Sequence, residues 1–244
     1  MSKASELIRL RKNGIDIPDF IIVNEKYDVS YVKDFLEKFD SNQYFAIRSS
    51  ANVEDGKVNS YAGLFDTFLN VSKKEVLYKI DCCINSKKNE NLLKYHNSKK
   101  NGEITMQVVV QIMINSDVSG VCFTRNPITQ CAEIIIEAIY GLGEALVSGM
   151  ISGDQYILNN NGDLKEERLK FQESKLVGIG KNKINKIVQN DLLNQSKRKL
   201  NTSQLHELFS LMMKIKKIYK YDVDVEWAYE KNKLYILQVR PLTT

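Results

Sequence analysis

The carboxyl-terminal part of the sequence brings together side chains that could bind a metal ion and phosphate. The stretch DVDVEWAYEKNKLYILQVRP contains two runs in which polar and apolar residues alternate, which predicts the two strands of a β-hairpin. In the first run Asp224 and Glu226 share a face, and apolar and aromatic residues take the other. In the second run the same alternation predicts Gln238 and Arg240 on the face of Ile236.

The pairing of these strands decides whether the polar side chains meet. A one-residue shift would turn a side chain to the opposite face of the sheet, so Glu226 can share a site with Gln238 only in direct or even-numbered register. We expect Glu226 to pair directly with Gln238, which also pairs Asp224 with Arg240. This register leaves a three-residue connection, 231–233, which is a common hairpin length.

The residue types of this patch suit a site for magnesium and phosphate. Mg²⁺ prefers oxygen ligands and is typically held by one or two carboxylates together with phosphate oxygens. An arginine beside the metal would neutralise phosphate charge as a bidentate donor. The alternative is a solvated polar face with cross-strand ion pairs, which from the spacing alone is the simpler explanation.

Two further stretches contain groups that could contact a nucleotide. In AIRSSANVEDGKVNSYAGLFDT, Arg48 ends a predicted strand and precedes a loop of small and hydroxyl residues that reaches Thr67. Such loops can surround an anion with backbone N–H groups. In YGLGE the nucleotide-binding candidates are Gly141, Gly143 and Glu144, although tight turns also use glycines in this way. With the hairpin, these stretches suggest a nucleotide triphosphate bound with magnesium.

The elements that must position these residues are helices mixed with mostly antiparallel strands. Apolar residues at helical spacing predict helices over 1–11, 31–39, 74–84 and 202–219, and short alternating or apolar runs predict strands between them. The mixture predicts an α+β fold in two lobes. We expect residues 1–100 to form the amino-terminal lobe and residues 101–244 the carboxyl-terminal lobe.

Composition excludes several classes of function. No apolar run approaches the ~20 residues that span a bilayer, and polar residues follow Met1 where a signal peptide would be apolar, so we expect a cytoplasmic protein and no membrane. The net charge of +5 is small, and we interpret the Lys/Asn-rich segments of the chain as solvated surface. We therefore expect no binding of nucleic acid. Four cysteines without a CxxC pair make zinc and disulfide sites poor interpretations.

The chain resembles the ATP-grasp nucleotide-binding domain of the phosphoenolpyruvate synthase and pyruvate phosphate dikinase family, which rifampin phosphotransferases also carry. The matching stretches follow the family's order and cover the chain from end to end. They are SKASEL, GIDIPDFIIVN, FAIRSSANVED, SYAGLFDTFLNV, VVVQIMINSDVSGVCFTRNPIT, EIIIEAIYGLGEALVSGMISGDQYIL and DVEWAYEKNKLYILQVRPLTT. The resemblance implies an ATP-grasp fold whose two lobes surround a nucleotide cleft.

The resemblance also implies roles for individual residues. Lys3 and Arg48 would bind phosphates, Thr67 would help to hold the triphosphate, and Gln111 would lie at the hinge beside the adenine. The remaining roles belong to the hairpin: Glu226 and Gln238 would ligand Mg²⁺ with Asp224 close by, and Arg240 would stabilise the phosphoryl group during transfer.

The implied reaction passes the β-phosphoryl group of ATP to a histidine on a separate swivelling domain, while another domain binds the final acceptor. We expect His96 and His206 to be structural, so both domains would lie on another chain or a missing segment. A non-catalytic ATP-binding scaffold or relic is the alternative, favoured by the short segment before Lys3. An ATP-grasp ligase that activates a carboxylate is a further alternative.

Overall fold

The computed structural model describes residues 2–52, 66–88, 105–178 and 185–242, which fall into two compact units. Within the described residues, unit 1 contains 2–9, 18–52, 66–88 and 105–113, and unit 2 contains 10–17, 114–178 and 185–242. The expected lobe boundary at residues 100/101, the loop 53–65 and His96 lie outside the described residues.

Unit 1 is built on a four-stranded antiparallel sheet. Its strands follow the spatial order β1-β4-β2-β3. They are β1 (Phe20–Asn24), β2 (Tyr44–Ala51), β3 (Thr67–Ser72) and β4 (Met106–Ile112). The helices are α1 (Lys3–Lys12), whose last residues belong to unit 2, α2 (Val29–Glu37) and α3 (Val76–Ser86), which follows a 3-10 turn at Lys73–Glu75.

One face of this sheet forms the core of unit 1. Phe45 and Ile47 on β2, with Val108 on β4, pack against apolar residues of α2 and α3, including Phe35 and Ile80. Because successive side chains of a strand point to opposite faces, the residues between them point away from these helices. The second face of the sheet is therefore available for polar side chains.

Unit 2 is built on a six-stranded antiparallel sheet with the order β12-β11-β5-β6-β7-β8. The strands are β5 (Val118–Phe123), β6 (Ile134–Tyr140), β7 (Asp154–Leu158), β8 (Leu164–Arg168), β11 (Val223–Glu230) and β12 (Lys233–Pro241). A separate hairpin pairs β9 (Ser174–Gly178) with β10 (Asn185–Gln189). The helices are α4 (Glu144–Val147), α5 (Leu192–Gln195) and α6 (Thr202–Tyr219). None of the helices in the described ranges combines the length and the apolar character of a membrane-spanning segment.

Helix α6 has the bounds predicted from the sequence and covers one face of the six-stranded sheet. It begins with a capping box between Asn201 and Gln204, which satisfies backbone N–H groups that the first turn leaves unpaired. The hydroxyl of Tyr229 donates to Glu207 of this helix over 2.7 Å. Trp227 and Tyr229 are two positions apart on β11, so their side chains share one face of the sheet. This face, on which Trp227 is fully buried, therefore lies under α6. Residues of the opposite parity, including Glu226, face away from the helix.

A buried ion pair joins β7 to the segment that precedes α6. The side chains of Asp154 and Lys199 are both fully buried, with 2.9 Å between Oδ1 and Nζ. The backbone N–H of Lys170 donates to Oδ1 over 2.8 Å, and the hydroxyl of Tyr156 and the backbone N–H of Lys199 donate to Oδ2 over 2.9 Å each. The carboxylate therefore has two hydrogen bonds to each oxygen, which compensate for the loss of its hydration.

We expect Lys199→Met to destabilise the chain by about 3–5 kcal/mol, because it leaves the Asp154 carboxylate buried without its cation. Arg168→Met is the matched control, since it removes an exposed ion pair with Glu166 and should cost about 1 kcal/mol or less. Urea unfolding monitored by circular dichroism measures both variants. Equal losses in the two variants would contradict the structural importance of the buried pair.

Candidate functional site

The carboxyl-terminal hairpin has the pairing predicted from the sequence. Glu226 on β11 lies directly opposite Gln238 on β12, and Asp224 lies opposite Arg240. All four residues are on the face of the sheet that points away from α6, because side chains of directly paired residues share a face. Two carboxylates, an amide and a guanidinium therefore form one group, the polar patch (Asp224, Glu226, Gln238, Arg240).

A β-bulge corrects two details of the prediction. Trp227 pairs with Ile236, so that Leu237 is an extra residue on β12 between Ile236 and Gln238. The extra residue reverses the alternation along the strand: Ile236 shares the buried face with Trp227, and the predicted shared face of Gln238 and Ile236 is wrong. The bulge also shortens the connection below the predicted three residues.

The turn of the hairpin contains two residues instead of the predicted three. Glu230 pairs with Lys233, and the residues between them, Lys231 and Asn232, have φ angles of 50° and 63°. Positive φ at both central positions is the geometry of the two-residue turn whose twist matches that of antiparallel strands. Both turn residues therefore have a left-handed backbone.

Within the polar patch, Asp224 is the most buried acid. It is 9% exposed, and Arg240 Nε donates to its Oδ2 over 2.6 Å, whereas its buried Oδ1 has no hydrogen-bond partner among the described residues. Burial raises the pKa of Asp224, the Arg240 charge opposes this change, and the nearby Glu226 adds to it. An oxygen in this state is suited to a cation or to a hydrogen-bond donor supplied by a ligand.

The donors of the polar patch fit Mg²⁺. The ion prefers oxygen ligands, and here a Glu226 carboxylate, a Gln238 amide oxygen and the unpaired Asp224 Oδ1 lie on one face. Among the described residues no three His, Cys, Asp or Glu side chains are gathered around one point. A magnesium ion bound here would therefore take the rest of its ligands from water and phosphate, as it commonly does.

In unit 1, the face that points away from α2 and α3 carries the predicted phosphate-binding residues. Arg48 on β2 pairs directly with Thr67 on β3, so their side chains are neighbours. Helix α1 meets the same strand: Lys3 Nζ donates to the carbonyl of Ser49 over 3.2 Å, and the N–H of Ala4 donates to Ser50 Oγ over 2.9 Å. The first turn of α1 is thus fixed beside Arg48.

Gln111 on β4 lies on this face of the unit 1 sheet as well. It pairs with Ala46 on β2, two residues before Arg48, and with Phe20 on β1. Gln111 is 1% exposed, and its Nε2 is buried without a hydrogen-bond partner among the described residues. A buried amide donor without a partner is costly, which makes it a candidate contact for a polar ligand group.

In the loop after β6, Gly141 and Gly143 differ in whether the backbone could accept a side chain at their position. Gly141 has a φ angle of +86°, and a Cβ atom there would lie 2.3 Å from the carbonyl oxygen of Leu176. Its own carbonyl accepts hydrogen bonds from the hydroxyls of Ser116 and Ser119 over 2.8 and 2.5 Å. Gly143 has φ of −60° with space for a methyl group. The structure therefore requires glycine at position 141 but not at 143.

Glu144 begins helix α4, and its carboxylate accepts a hydrogen bond from Asn185 Nδ2 over 2.5 Å. The predicted site residues of unit 2 are thus held in two places, at this loop and in the hairpin.

Sequence reasoning did not select Glu137, which lies on β6 and shares the face of the polar patch. In IIIEAIY, Glu137 is the one charged residue of an otherwise apolar strand, which is the signal that could have found it.

The model of one family, described as pyruvate phosphate dikinase, AMP/ATP-binding domain, matches residues 3–244 of the chain. Among curated proteins, the probable phosphoenolpyruvate synthase of Methanocaldococcus jannaschii is 36% identical over 82% of the chain and 17% of its own length. The phosphoenolpyruvate synthase of Pyrococcus furiosus is 34% identical over 100% of the chain and 31% of its own length.

Similarity extends to a relative that is named for another activity and to a solved structure. The rifampicin phosphotransferase of Bacillus cereus is 33% identical over 88% of the chain and 25% of its own length. The chain therefore spans less than a third of the length of each of these three relatives. The VanG D-Ala:D-Ser ligase structure from Enterococcus faecalis covers 99% of the chain, over 52% of its own length, with a TM-score of 0.51 and 11% identity, which is a likeness of fold. The fold is α+β and ATP-grasp, as the sequence predicted.

We expect Gly141→Ala to destabilise the chain by about 1–3 kcal/mol through the left-handed backbone alone, with the contact to Leu176 adding to the loss. Gly143→Ala provides the matched control and should stay within about 1 kcal/mol of the parent. Thermal and urea unfolding of the two variants measure the difference. A Gly141→Ala chain as stable as Gly143→Ala would show that the loop relaxes freely.

We expect Asp224→Asn and Asp222→Asn to change stability in opposite directions at pH 7. The folded-state pKa of Asp224 is raised above its ordinary value of 3.8, so its ionisation opposes folding once the pH rises through the raised pKa. Asp224→Asn should therefore be at least as stable as the parent at pH 7, and the difference should vanish below pH 3.8.

Asp222, the residue just before β11, has a lowered pKa where Asp224 has a raised one. Burial raises its pKa, but hydrogen bonds from Arg125, Lys216 and Thr124 outweigh burial and lower the pKa overall. Its stabilising contribution is present above the ordinary value of 3.8 and is lost as pH falls through the lowered pKa, so Asp222→Asn should cost about 1.5–3 kcal/mol at pH 7. Urea unfolding at pH 7 and at successively lower pH measures the stability of both variants. Equal losses of stability in Asp224→Asn and Asp222→Asn would refute the opposite directions assigned to the two pKa changes.

Proposed function

Because the chain belongs to the pyruvate phosphate dikinase AMP/ATP-binding domain family, we propose that it binds ATP with Mg²⁺ and passes a phosphoryl group from ATP to a histidine on a separate domain. ATP binding follows from the family, and phosphotransferase relatives support the transfer reaction. The magnesium ion, the histidine domain and the individual roles of residues are part of the proposal.

The observation that carries the proposal is the direct pairing of Glu226 with Gln238 beside the Asp224–Arg240 pair. This pairing places oxygen ligands for a cation and a guanidinium for phosphate within one patch on a rigid strand pair. Sites on strands hold their geometry more closely than sites on loops. A metal–phosphate complex needs both kinds of group close together, and the polar patch supplies both.

The residues of unit 2 would bind the metal and the transferring phosphoryl group. Glu226 and Gln238 would ligand Mg²⁺, which when bound neutralises charge on the phosphate oxygens. Asp224 would keep Arg240 oriented through the 2.6 Å hydrogen bond that Nε donates, and the guanidinium would contact phosphate. Gly141, Gly143 and Glu144 would contribute a backbone approach at the nucleotide.

The predicted site residues of unit 1 carry groups that suit the phosphates and the base of a nucleotide. Arg48, Lys3 and Thr67 carry cationic and hydroxyl donors for the phosphates, and Lys3 is already anchored to β2 through Ser49. The unpartnered Nε2 of Gln111 would donate to the adenine. Phosphoryl transfer needs little covalent chemistry from such groups, because catalysis is mostly positioning and stabilisation of charge.

The phosphoryl acceptor is a histidine that the described residues do not supply. His206 is exposed on α6, and α6 covers the face of the unit 2 sheet opposite to the polar patch. A histidine behind the sheet cannot meet a phosphate bound in front of it. We therefore propose that a swivelling domain carries the phosphohistidine and that a further domain chooses the final acceptor.

We expect calorimetric titration to show micromolar, magnesium-dependent binding of ATP to the parent chain. Glu226→Ala should lower the affinity for Mg·ATP by tenfold or more, because it removes a carboxylate ligand, while Arg240→Ala should retain most binding and lose phosphoryl transfer. Glu166→Ala, an exposed acid of β8, is the control and should bind as the parent does.

The reaction itself is tested by adding a histidine domain from a longer relative and following the products of ATP. Formation of AMP supports the proposal, and formation of ADP with a carboxylate substrate would favour a ligase. Nucleotide binding without AMP would favour a non-catalytic scaffold. If Glu226→Ala binds Mg·ATP as tightly as the parent does, the assignment of the polar patch is wrong.

A further inference from the structure

A second carboxylate–amide pair lies on the same face of the unit 2 sheet as the polar patch. Glu226 pairs with Val121 on β5, and Val121 pairs in turn with Glu137 on β6. Glu137 pairs with Gln155 on β7. With Gln238 at the other end, these residues form the transverse row Gln238, Glu226, Val121, Glu137 and Gln155, which crosses five strands on the face away from α6.

The spacing of this row decides what Glu137 can reach. Neighbouring strands lie about 4.8 Å apart, so the backbones of Glu226 and Glu137 are separated by about 10 Å, with Val121 between them. Val121 is apolar and 7% exposed, so it forms a floor without ligating atoms. Side chains from both sides can extend over this floor toward one another.

A single metal ion with one bound water fits this gap better than a metal ion held directly by both acids. Magnesium–oxygen bonds of about 2.1 Å and a hydrogen bond of about 2.7 Å give a carboxylate–metal–water–carboxylate path of roughly 7 Å. Mg²⁺ also gives up its waters reluctantly and usually keeps several. Direct ligation by both acids would draw their oxygens to about 4 Å from each other.

The side chain of Glu137 is already oriented by its neighbour. Gln155 Nε2 donates to Glu137 Oε1 over 3.1 Å, and this is the hydrogen bond that the described residues supply to the Glu137 carboxylate. Oε2 remains as a further acceptor. Glu137 is half-buried, whereas Ile135 and Ile139 on the same face of β6 are buried, so Glu137 is the residue of this strand that a ligand can reach on that face.

We propose that Glu137 is a positioning residue that accepts a hydrogen bond from a water of the magnesium ion at Glu226 and Gln238. The inference rests on the proposed function and names a residue beyond the four of the polar patch. The unpartnered, buried Oδ1 of Asp224 on the same face is an independent sign that the patch binds a cation. Partners of this outer kind typically change metal affinity by 10–100-fold when they are removed.

The test measures metal affinity directly, by displacement of bound Mn²⁺ with Mg²⁺ in electron paramagnetic resonance at saturating ATP. Glu137→Gln keeps the size of the side chain and removes its charge, and Glu137→Ala removes the acceptor without adding a donor toward Gln155. Glu166→Gln on β8 is the matched control, because it removes one exposed acid from the same face of the sheet. Circular dichroism is recorded for every variant to establish that each is folded.

The expected result is that both Glu137 variants bind Mg²⁺ about 10–100-fold more weakly than the parent, with an unchanged circular dichroism spectrum. Glu166→Gln should stay within about twofold of the parent. An unchanged metal affinity in the Glu137 variants, or an equal loss in Glu166→Gln, would overturn the inference while leaving the proposed function intact. A loss of metal affinity greater than about 100-fold and as large as that of Glu226→Ala would make Glu137 a direct ligand and overturn its role through water. A parent chain that binds no Mg·ATP would overturn the proposed function itself.

Discussion

Burial of one face of the six-stranded sheet under helix α6 is the interaction on which the candidate site depends. Trp227 and Tyr229 on β11 take that face, and removing an aromatic side chain of this size from such a core typically costs about 3–5 kcal/mol. Because side chains alternate along a strand, this burial also fixes the direction of every residue between them. Asp224 and Glu226 point away from α6 as a consequence of where the aromatics are buried.

The bulge at Leu237 brings the second strand into agreement with the first. Without it, strict alternation would place Gln238 on the face of Ile236, and either the amide or the isoleucine would lie on the wrong side of the sheet. With one extra residue, Ile236 stays in the core and Gln238 meets Glu226. Because this extra residue belongs to the strand, the connection shortens from three residues to two, Lys231 and Asn232. The left-handed backbones of these two residues match the twist of the strands.

The carboxylates on the face of the polar patch favour the binding of a cation. Three carboxylates, Asp224, Glu226 and Glu137, share one face, and Arg240 forms its hydrogen bond with Asp224. Burial already disfavours the charged form of Asp224. A divalent cation would offset this cost, and binding to the folded chain alone would stabilise it by about 2.7 kcal/mol at a concentration one hundred times its Kd. Order at the site and stability of the chain are in this way linked to the ligand.

The sequence by itself determined the family, the α+β class, helix Thr202–Tyr219 and the pairing of Glu226 with Gln238, because motifs and side-chain periodicity are local properties. It did not determine the bulge at Leu237, since one extra residue is invisible in an alternating pattern until the partner strand is known. The need for glycine at position 141 came from the backbone of Leu176, 35 positions along the chain. The place of Glu137 beside Glu226 was equally hidden, because it follows from the order of β11, β5 and β6 in the sheet. Tertiary structure decided these points because they depend on which distant strands become neighbours, and that choice is made by burial of the whole sheet.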